Sequence, residues 1–136
     1  MNGATVIVVD ASVLSNALAD FGTSGANARH RLLAQESAAP DLVLVETAAV
    51  LRKRWMRGSL SEREFRDALA TLRRYPLATY GAASLLNRAF ELRNNVSAYD
   101  AMYIALAEGL RCPLVTGDAR LAEAPGIRCT VEVLTD

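Results

Sequence analysis

Apolar residues occur in two kinds of run along this chain, and their alternation predicts an α/β fold. Short, unbroken runs of aliphatic and β-branched residues, such as residues 5–9 and 113–116, indicate strands that are buried on both faces. Between these runs, apolar residues recur every three or four positions, which is typical of amphipathic helices. We therefore expect a three-layer α/β/α sandwich around a mainly parallel central sheet.

The predicted elements follow one another without a linker or an internal repeat. The first strand is followed by a helix that begins at Ala11. The later elements are helix 24–36, an extended segment 37–40, helix 41–57, helix 61–75, strand 76–80, helix 81–95, helix 97–109, strand 113–116, a helical turn 119–123 and strand 130–134. A chain of 136 residues with this pattern is expected to form one domain, residues 1–136.

The stretch after Pro40 allows two interpretations. Residues 42–45 have strand propensity, but Leu42, Val45, Glu46 and Ala49 also form a helical stripe. Because Pro40 and Asp41 make a plausible stop and cap, we predict a helix. Glu46 then lies on its apolar face, where an unpaired carboxylate is costly.

Composition narrows the possible functions. The net charge is zero, but eight basic residues stand against three acidic ones between Arg52 and Arg74, which indicates either a solvated helical face or a phosphate-binding surface. The single histidine, His30, is expected at the surface, so a histidine-rich zinc site or a serine triad has no support. Cys112 and Cys129 fit no metal or redox spacing and are expected to be reduced thiols. No signal peptide and no run of membrane-spanning length is found, so we expect a soluble cytoplasmic protein.

Four carboxylates are candidates for a shared site. Asp10 and Asp118 follow predicted strands, and Asp100 stands three residues after Ser97, so each of the three could simply cap a helix. Glu46 has no such explanation. Because the carboxyl ends of parallel strands share one sheet edge, the four could converge there. Such a cluster persists if a divalent cation neutralises it, and an all-oxygen donor set suits Mg²⁺ or Mn²⁺.

The chain resembles the PIN-domain family, and more narrowly the VapC-type toxins of bacterial toxin–antitoxin pairs. The matching segments, in order along the chain, are Val8-Val9-Asp10-Ala11-Ser12, Pro40-Asp41-Leu42 with Glu46, Ser97-Ala98-Tyr99-Asp100-Ala101-Met102-Tyr103 with Ala105-Leu106-Ala107, and Leu114-Val115-Thr116-Gly117-Asp118. Each motif alone is weak, but all four in order are specific.

The resemblance implies a metal-dependent ribonuclease whose metal-binding and catalytic quartet is Asp10, Glu46, Asp100 and Asp118. It implies supporting hydrogen bonds from Thr116 and Ser12, whereas Asp41 is better interpreted as a cap. Family members tend to form homodimers and are neutralised by a VapB-type antitoxin whose tail occupies the acidic groove.

The leading hypothesis is a Mg²⁺-dependent endoribonuclease that cuts RNA and acts as a toxin, with Arg52, Arg54 and Arg57 as candidate contacts to the RNA backbone. The alternative is a catalytically silent PIN-fold module that binds nucleic acid or protein. A receiver domain is disfavoured because the only lysine, Lys53, lies on a predicted helix. A Rossmann nucleotide-binding domain is disfavoured because no glycine-rich turn follows the first strand.

Overall fold

The computed structural model describes residues 6–135 and contains a five-stranded, entirely parallel sheet. The strands are β1 (Val6–Val9), β2 (Glu36–Pro40), β3 (Leu77–Tyr80), β4 (Leu114–Thr116) and β5 (Val131–Val133), in the spatial order β3-β2-β1-β4-β5. The helices are α1 (Ala11–Ala19), α2 (Thr23–Leu33), α3 (Leu42–Met56), α4 (Glu62–Arg74), α5 (Leu86–Glu91), α6 (Ala98–Leu110) and α7 (Arg120–Glu123). The predicted α/β/α sandwich is confirmed, with β1 as the middle strand.

The two faces of the sheet are covered by different helices. On one side α1 packs against α2, α3 and α4, and on the other α6 packs against β1, β2 and β4. Residues 101–107 of α6 are all buried, so this helix lies in the middle of the core rather than along its surface. Val8 and Val9 are fully buried, as the unbroken apolar run predicts.

The helical interpretation of the segment after Pro40 is confirmed. Asp41 occupies the N-cap position of α3, but its side chain makes no capping hydrogen bond, so its predicted role as a cap is wrong in that respect. The capping box at Ser61 and Glu64 is present with both of its hydrogen bonds.

Two predicted helices differ from the structure, and Thr5 of the first predicted strand lies outside the described residues. The helix predicted over 24–36 ends at Leu33, because Glu36 pairs with Val6 and begins β2. The helix predicted over 81–95 is divided into a 3₁₀ turn, Ala83–Leu85, and the short α5. Apolar spacing of three residues suits both helix types, so the pattern could not separate them.

Gly25 has a steric role where α1 meets α2. A Cβ at this position would lie 1.8 Å from the carbonyl oxygen of Asp20, and the Gly25 amide donates to the Asp20 carboxylate at 3.1 Å. Glycine therefore allows the two helices to join closely.

Candidate metal centre

Asp10 is held at the carboxyl end of the middle strand by several donors. Its Oδ1 accepts from the backbone amides of Ser12 and Val13 at 3.1 and 3.2 Å and from the Ser12 hydroxyl at 2.5 Å. Its Oδ2 accepts from the hydroxyl of Thr116. Asp10 therefore caps α1, as its position predicted, and also faces the neighbouring strand.

Ser12 and Thr116 join the two turns that follow β1 and β4. Val9 pairs with Val115, which places these turns side by side. The Ser12 hydroxyl accepts from the amide of Gly117 at 2.9 Å, and the Thr116 hydroxyl accepts from the amide of Asp118 at 3.0 Å. Both hydroxyls also donate to Asp10: Ser12 accepts from the turn after β4, and Thr116 reaches Asp10 from the end of β4 itself, so both fix the Asp10 carboxylate relative to β4.

Glu46 is held from the opposite face of the sheet. It lies in the second turn of α3, and the buried phenol of Tyr103, on α6, donates to its Oε1 at 2.5 Å. Sequence reasoning missed the role of Tyr103, although Tyr103 stands one helical turn after Asp100 among purely apolar neighbours. A phenol in such a stretch needs a partner, which was the available signal.

The electrostatics link Asp10, Glu46 and Asp100. Burial raises the pKa of all three, although the hydroxyl and amide donors partly oppose this at Asp10 and Tyr103 does so at Glu46. The charges of Asp100 and Asp10 also raise the pKa of Glu46, and those of Asp10 and Asp118 raise the pKa of Asp100. Within residues 6–135, no arginine, lysine or histidine forms a salt bridge with any of the three.

Asp118, unlike the other three carboxylates, forms a salt bridge within the described chain, and its partner is Arg120. Its two oxygens accept from Arg120 Nε at 3.1 Å and from an Arg120 terminal nitrogen at 2.9 Å. These hydrogen bonds hold the pKa of Asp118 below its usual range, in spite of some burial. Arg120 was not among the predicted site residues, and no motif pointed to it.

Of the three arginines predicted to contact RNA, Arg52 and Arg54 lie further along α3, and Arg57 is its C-cap. Arg54 donates to Asn16 Oδ1 at 2.7 Å and to the Ser15 carbonyl at 3.3 Å, which ties α3 to α1. Arg52 and Arg57 are exposed. Since α3 rises by about 1.5 Å per residue, Arg54 lies about 12 Å along the helix from Glu46. An RNA contact at Arg52, Arg54 or Arg57 stays a prediction.

The donor chemistry of the site fits a hard divalent cation. Asp10, Glu46 and Asp100 offer only oxygen atoms, and their pKa values are raised by burial and, at Glu46 and Asp100, also by the charges of neighbouring carboxylates. In the described part of the chain, no three acidic, histidine or cysteine side chains lie close enough to make a preformed metal-binding group. The residues therefore fit such an ion by charge and donor type.

Known proteins are similar to this chain in sequence and in fold. A family model for the PIN domain matches residues 7–127. Ribonuclease VapC9 of Mycobacterium tuberculosis is 41% identical over 129 residues, which cover 95% of this chain and 98% of that protein. The structure of M. tuberculosis VapC20, a sarcin–ricin loop cleaving toxin, is similar with a TM-score of 0.67 at 21% identity, covering 90% of this chain and 96% of the other. VapBC2 of Rickettsia felis, bound to promoter DNA, gives a TM-score of 0.67 at 17% identity over 96% and 99% of the two chains.

Proposed function

This chain belongs to the PIN-domain family, and from that membership and its VapC relatives we propose that it is a Mg²⁺-dependent endoribonuclease, the toxin of a toxin–antitoxin pair. The ribonuclease VapC9, at 41% identity over nearly all of the chain, supports the activity. The observation that carries the assignment at the site is the group of Asp10, Glu46 and Asp100, whose negative charges act on one another while none of the three has a salt-bridge partner among the described residues.

In this proposal Asp10, Glu46, Asp100 and Asp118 hold the metal and are the catalytic residues. A bound divalent cation would neutralise the carboxylates, activate water at neutral pH and stabilise the charge that develops on the phosphodiester. Ser12 and Thr116 fix Asp10, and Tyr103 fixes Glu46, so each of these two carboxylates is held in one orientation, from which the donors must still draw together around the ion. Mn²⁺ offers similar chemistry to Mg²⁺ and should substitute for it.

RNA is the proposed substrate, with an unpaired loop entering the acidic cleft more easily than a rigid duplex. Two exposed arginines, Arg52 on α3 and Arg57 at its C-cap, would follow the backbone, so binding should weaken as salt rises. No helix among residues 6–135 is long and apolar enough to cross a membrane.

A VapB-type antitoxin is the proposed protein partner, by analogy with the VapBC2 complex of R. felis. An apolar cavity of about 320 Å³ between α1, α2 and α4 supports this, since Leu14, Leu18, Leu32 and Leu33 line it. Leu33 is 87% exposed. A groove of this chemistry suits the apolar face of an amphipathic helix, with the antitoxin's tail then reaching the acidic cleft.

A homodimer is also proposed. Val45, Leu86 and Phe90, on α3 and α5, are 73%, 58% and 65% exposed, which is unusual for large apolar side chains. Sedimentation equilibrium tests this directly, and a mass of one chain at micromolar concentration would exclude the dimer.

The central experiment compares Asp10→Asn with Asp41→Asn. Asparagine caps helices well, so Asp10→Asn should fold, yet it removes one carboxylate charge from the cluster. We expect RNA cleavage that requires Mg²⁺ and falls by at least ~100-fold in Asp10→Asn, with Mn²⁺ binding lost in calorimetry. Asp41→Asn makes the same charge change at an exposed residue of the same sheet edge and should behave as wild type.

Cleavage that persists in Asp10→Asn or in the presence of chelator would overturn the assignment. A wild-type protein that binds RNA, but does not bind Mn²⁺ and does not cleave the RNA, would instead favour the catalytically silent module.

A further inference from the structure

Arg120 holds Asp118 through three hydrogen bonds. Besides the two guanidinium bonds, the Arg120 amide donates to Asp118 Oδ1 at 3.0 Å. The Arg120 side chain is otherwise 90% exposed, and that of Asp118 is 30% exposed. Both carboxylate oxygens of the fourth site residue are therefore occupied by a cation of the protein itself.

This pairing separates Asp118 from the rest of the quartet. Asp10, Glu46 and Asp100 have no salt-bridge partner among the described residues, whereas Asp118 has one. The positive charge of Arg120 also acts on Asp100, so the guanidinium is within electrostatic reach of the cluster. Arg120 consequently stands at the rim of the acidic site.

The pair is weak enough to exchange. Solvent-exposed ion pairs contribute little, because water and salt screen them and two side chains must be ordered. A divalent cation that takes the Asp118 oxygens would release the guanidinium. A phosphodiester presents two oxygens in the fork geometry that a carboxylate has, and arginine binds both groups in the same bidentate way.

We propose that Arg120 is a phosphate-contacting residue that leaves Asp118 for the RNA backbone when the metal binds. The inference rests on the proposed ribonuclease function and adds a contact that neither the motifs nor the arginines of α3 supply. A metal that binds Asp118 frees Arg120 for RNA, and RNA that binds Arg120 frees Asp118 for the metal. Metal and RNA should therefore tighten one another's binding by the same factor.

Arg120→Gln and Arg120→Lys test the exchange, and Arg63→Gln is the matched control. Arg63 is 91% exposed and pairs with Asp67 on α4, so its substitution makes the same charge change at an equally exposed arginine that also has an acidic partner. The probes are Mn²⁺ alone, measured by calorimetry, and a 2′-O-methyl RNA hairpin that cannot be cleaved, measured by fluorescence anisotropy across a salt series with Mn²⁺ present.

We expect Arg120→Gln to bind Mn²⁺ about two- to fivefold more tightly in the absence of RNA, because a competitor for Asp118 is gone. It should bind the hairpin about tenfold more weakly, with the slope of log affinity against log salt reduced by about one. Arg120→Lys keeps the positive charge but loses the bidentate guanidinium, so its affinities for Mn²⁺ and for the hairpin should lie between those of Arg120→Gln and wild type.

Two results would overturn the proposed role of Arg120 while leaving the proposed ribonuclease function intact. In the first, Arg120→Gln and Arg63→Gln have the same slope of log RNA affinity against log salt. In the second, Arg120→Gln binds Mn²⁺ more weakly than wild type. A wild-type protein that neither binds Mn²⁺ nor cleaves RNA would overturn the proposed function, and this inference with it.

Discussion

Replacing Arg88 should destabilise the protein far more than replacing an ordinary surface arginine. Arg88, on α5, donates to the two carboxylate oxygens of Glu108, on α6, at 2.7 and 3.1 Å, and to the carbonyl of Gly126 at 2.7 Å. Glu108 also accepts from the backbone amide of Arg128 at 2.8 Å. This ion pair joins α5 and α6 to the segment that leads into β5.

The magnitude follows from burial and geometry. The side chains of Arg88 and Glu108 are only 16% and 13% exposed. Breaking one partner of a fully buried pair costs about 3–5 kcal/mol. Since some solvent reaches this pair, we expect Arg88→Met to lower the free energy of unfolding by about 2–3 kcal/mol, with methionine retaining part of the apolar stem. In a domain of this size that is a fall in Tm of about 6–12 °C.

The assay is denaturant and thermal unfolding, with Arg66→Met as the control. Arg66 and Glu62 are both 77% exposed and 3.5 Å apart, so that change should cost under ~0.5 kcal/mol. Burial by itself would raise the pKa of Glu108, but Arg88 and the Arg128 amide lower it below the ordinary 4.5. The stabilisation is therefore present above that value and is lost as pH falls through the folded-state pKa.

An Arg88→Met protein that is no less stable than Arg66→Met at neutral pH would refute the stabilising role of this ion pair. A stability difference between wild type and Arg88→Met that stays constant down to about pH 2 would refute it as well, because an ion pair must lose its contribution once Glu108 is protonated.

Two further predictions concern the acidic site. Because burial and the charges of Asp100 and Asp10 raise the pKa of Glu46, its ionised form is disfavoured by folding. Glu46→Gln should therefore abolish cleavage and stabilise the metal-free protein by about 0.5–2 kcal/mol at neutral pH. This gain in stability should vanish as the pH falls to the ordinary pKa of 4.5. Unfolding curves in which Glu46→Gln is less stable than wild type at pH 7 would contradict the prediction. Tyr103→Phe removes the donor that lowers the pKa of Glu46, so Mn²⁺ affinity should fall about 10–100-fold and its pH dependence move upward. Tyr75→Phe, which loses a phenol 3.2 Å from a serine hydroxyl on β2, is the control, and equal Mn²⁺ affinities in the two variants would refute a positioning role.

The sequence alone determined much of the fold, because its signals are local. The apolar run that ends at Asp10 is enough to identify a strand buried on both faces, and β1 is the middle strand. The capping box at Ser61 and the cap at Ser97 fix two helix starts through residues three positions apart. The stripe through Glu46 correctly favoured a helix over a strand, since the 3.6-residue period was carried by its neighbours.

The candidate site was only partly accessible to the same reasoning. The predicted parallel sheet implied that Asp10 and Asp118, which both follow strands, lie at the same sheet edge, and the pairing of Val9 with Val115 places their turns together. The partner of Glu46 was not accessible, because the Tyr103 phenol reaches it from a helix on the other face, 57 residues away. Nor did any pattern indicate that Arg120 pairs with Asp118.

The two cysteines also lie close together in a way that no sequence pattern predicted. Cys112 and Cys129 fit no spacing motif, yet both line one cavity of about 460 Å³ at the amino end of the sheet. They meet because Leu114 pairs with Val131, two residues after each cysteine. Burial raises the pKa of both thiols, that of Cys129 to about 11.

Propensity, periodicity and capping depend on residues within one or two helical turns, so the sequence determined the elements and the residues that end them. Which side chains meet depends on strand register and on the packing of helices across the sheet, which join residues far apart in the chain. Only the tertiary structure therefore decided that the Thr116 hydroxyl reaches Asp10 and that the Tyr103 phenol reaches Glu46, contacts that join residues 106 and 57 positions apart. The pairs of Ser12 with Asp10 and of Arg120 with Asp118 are local, because each joins residues two positions apart.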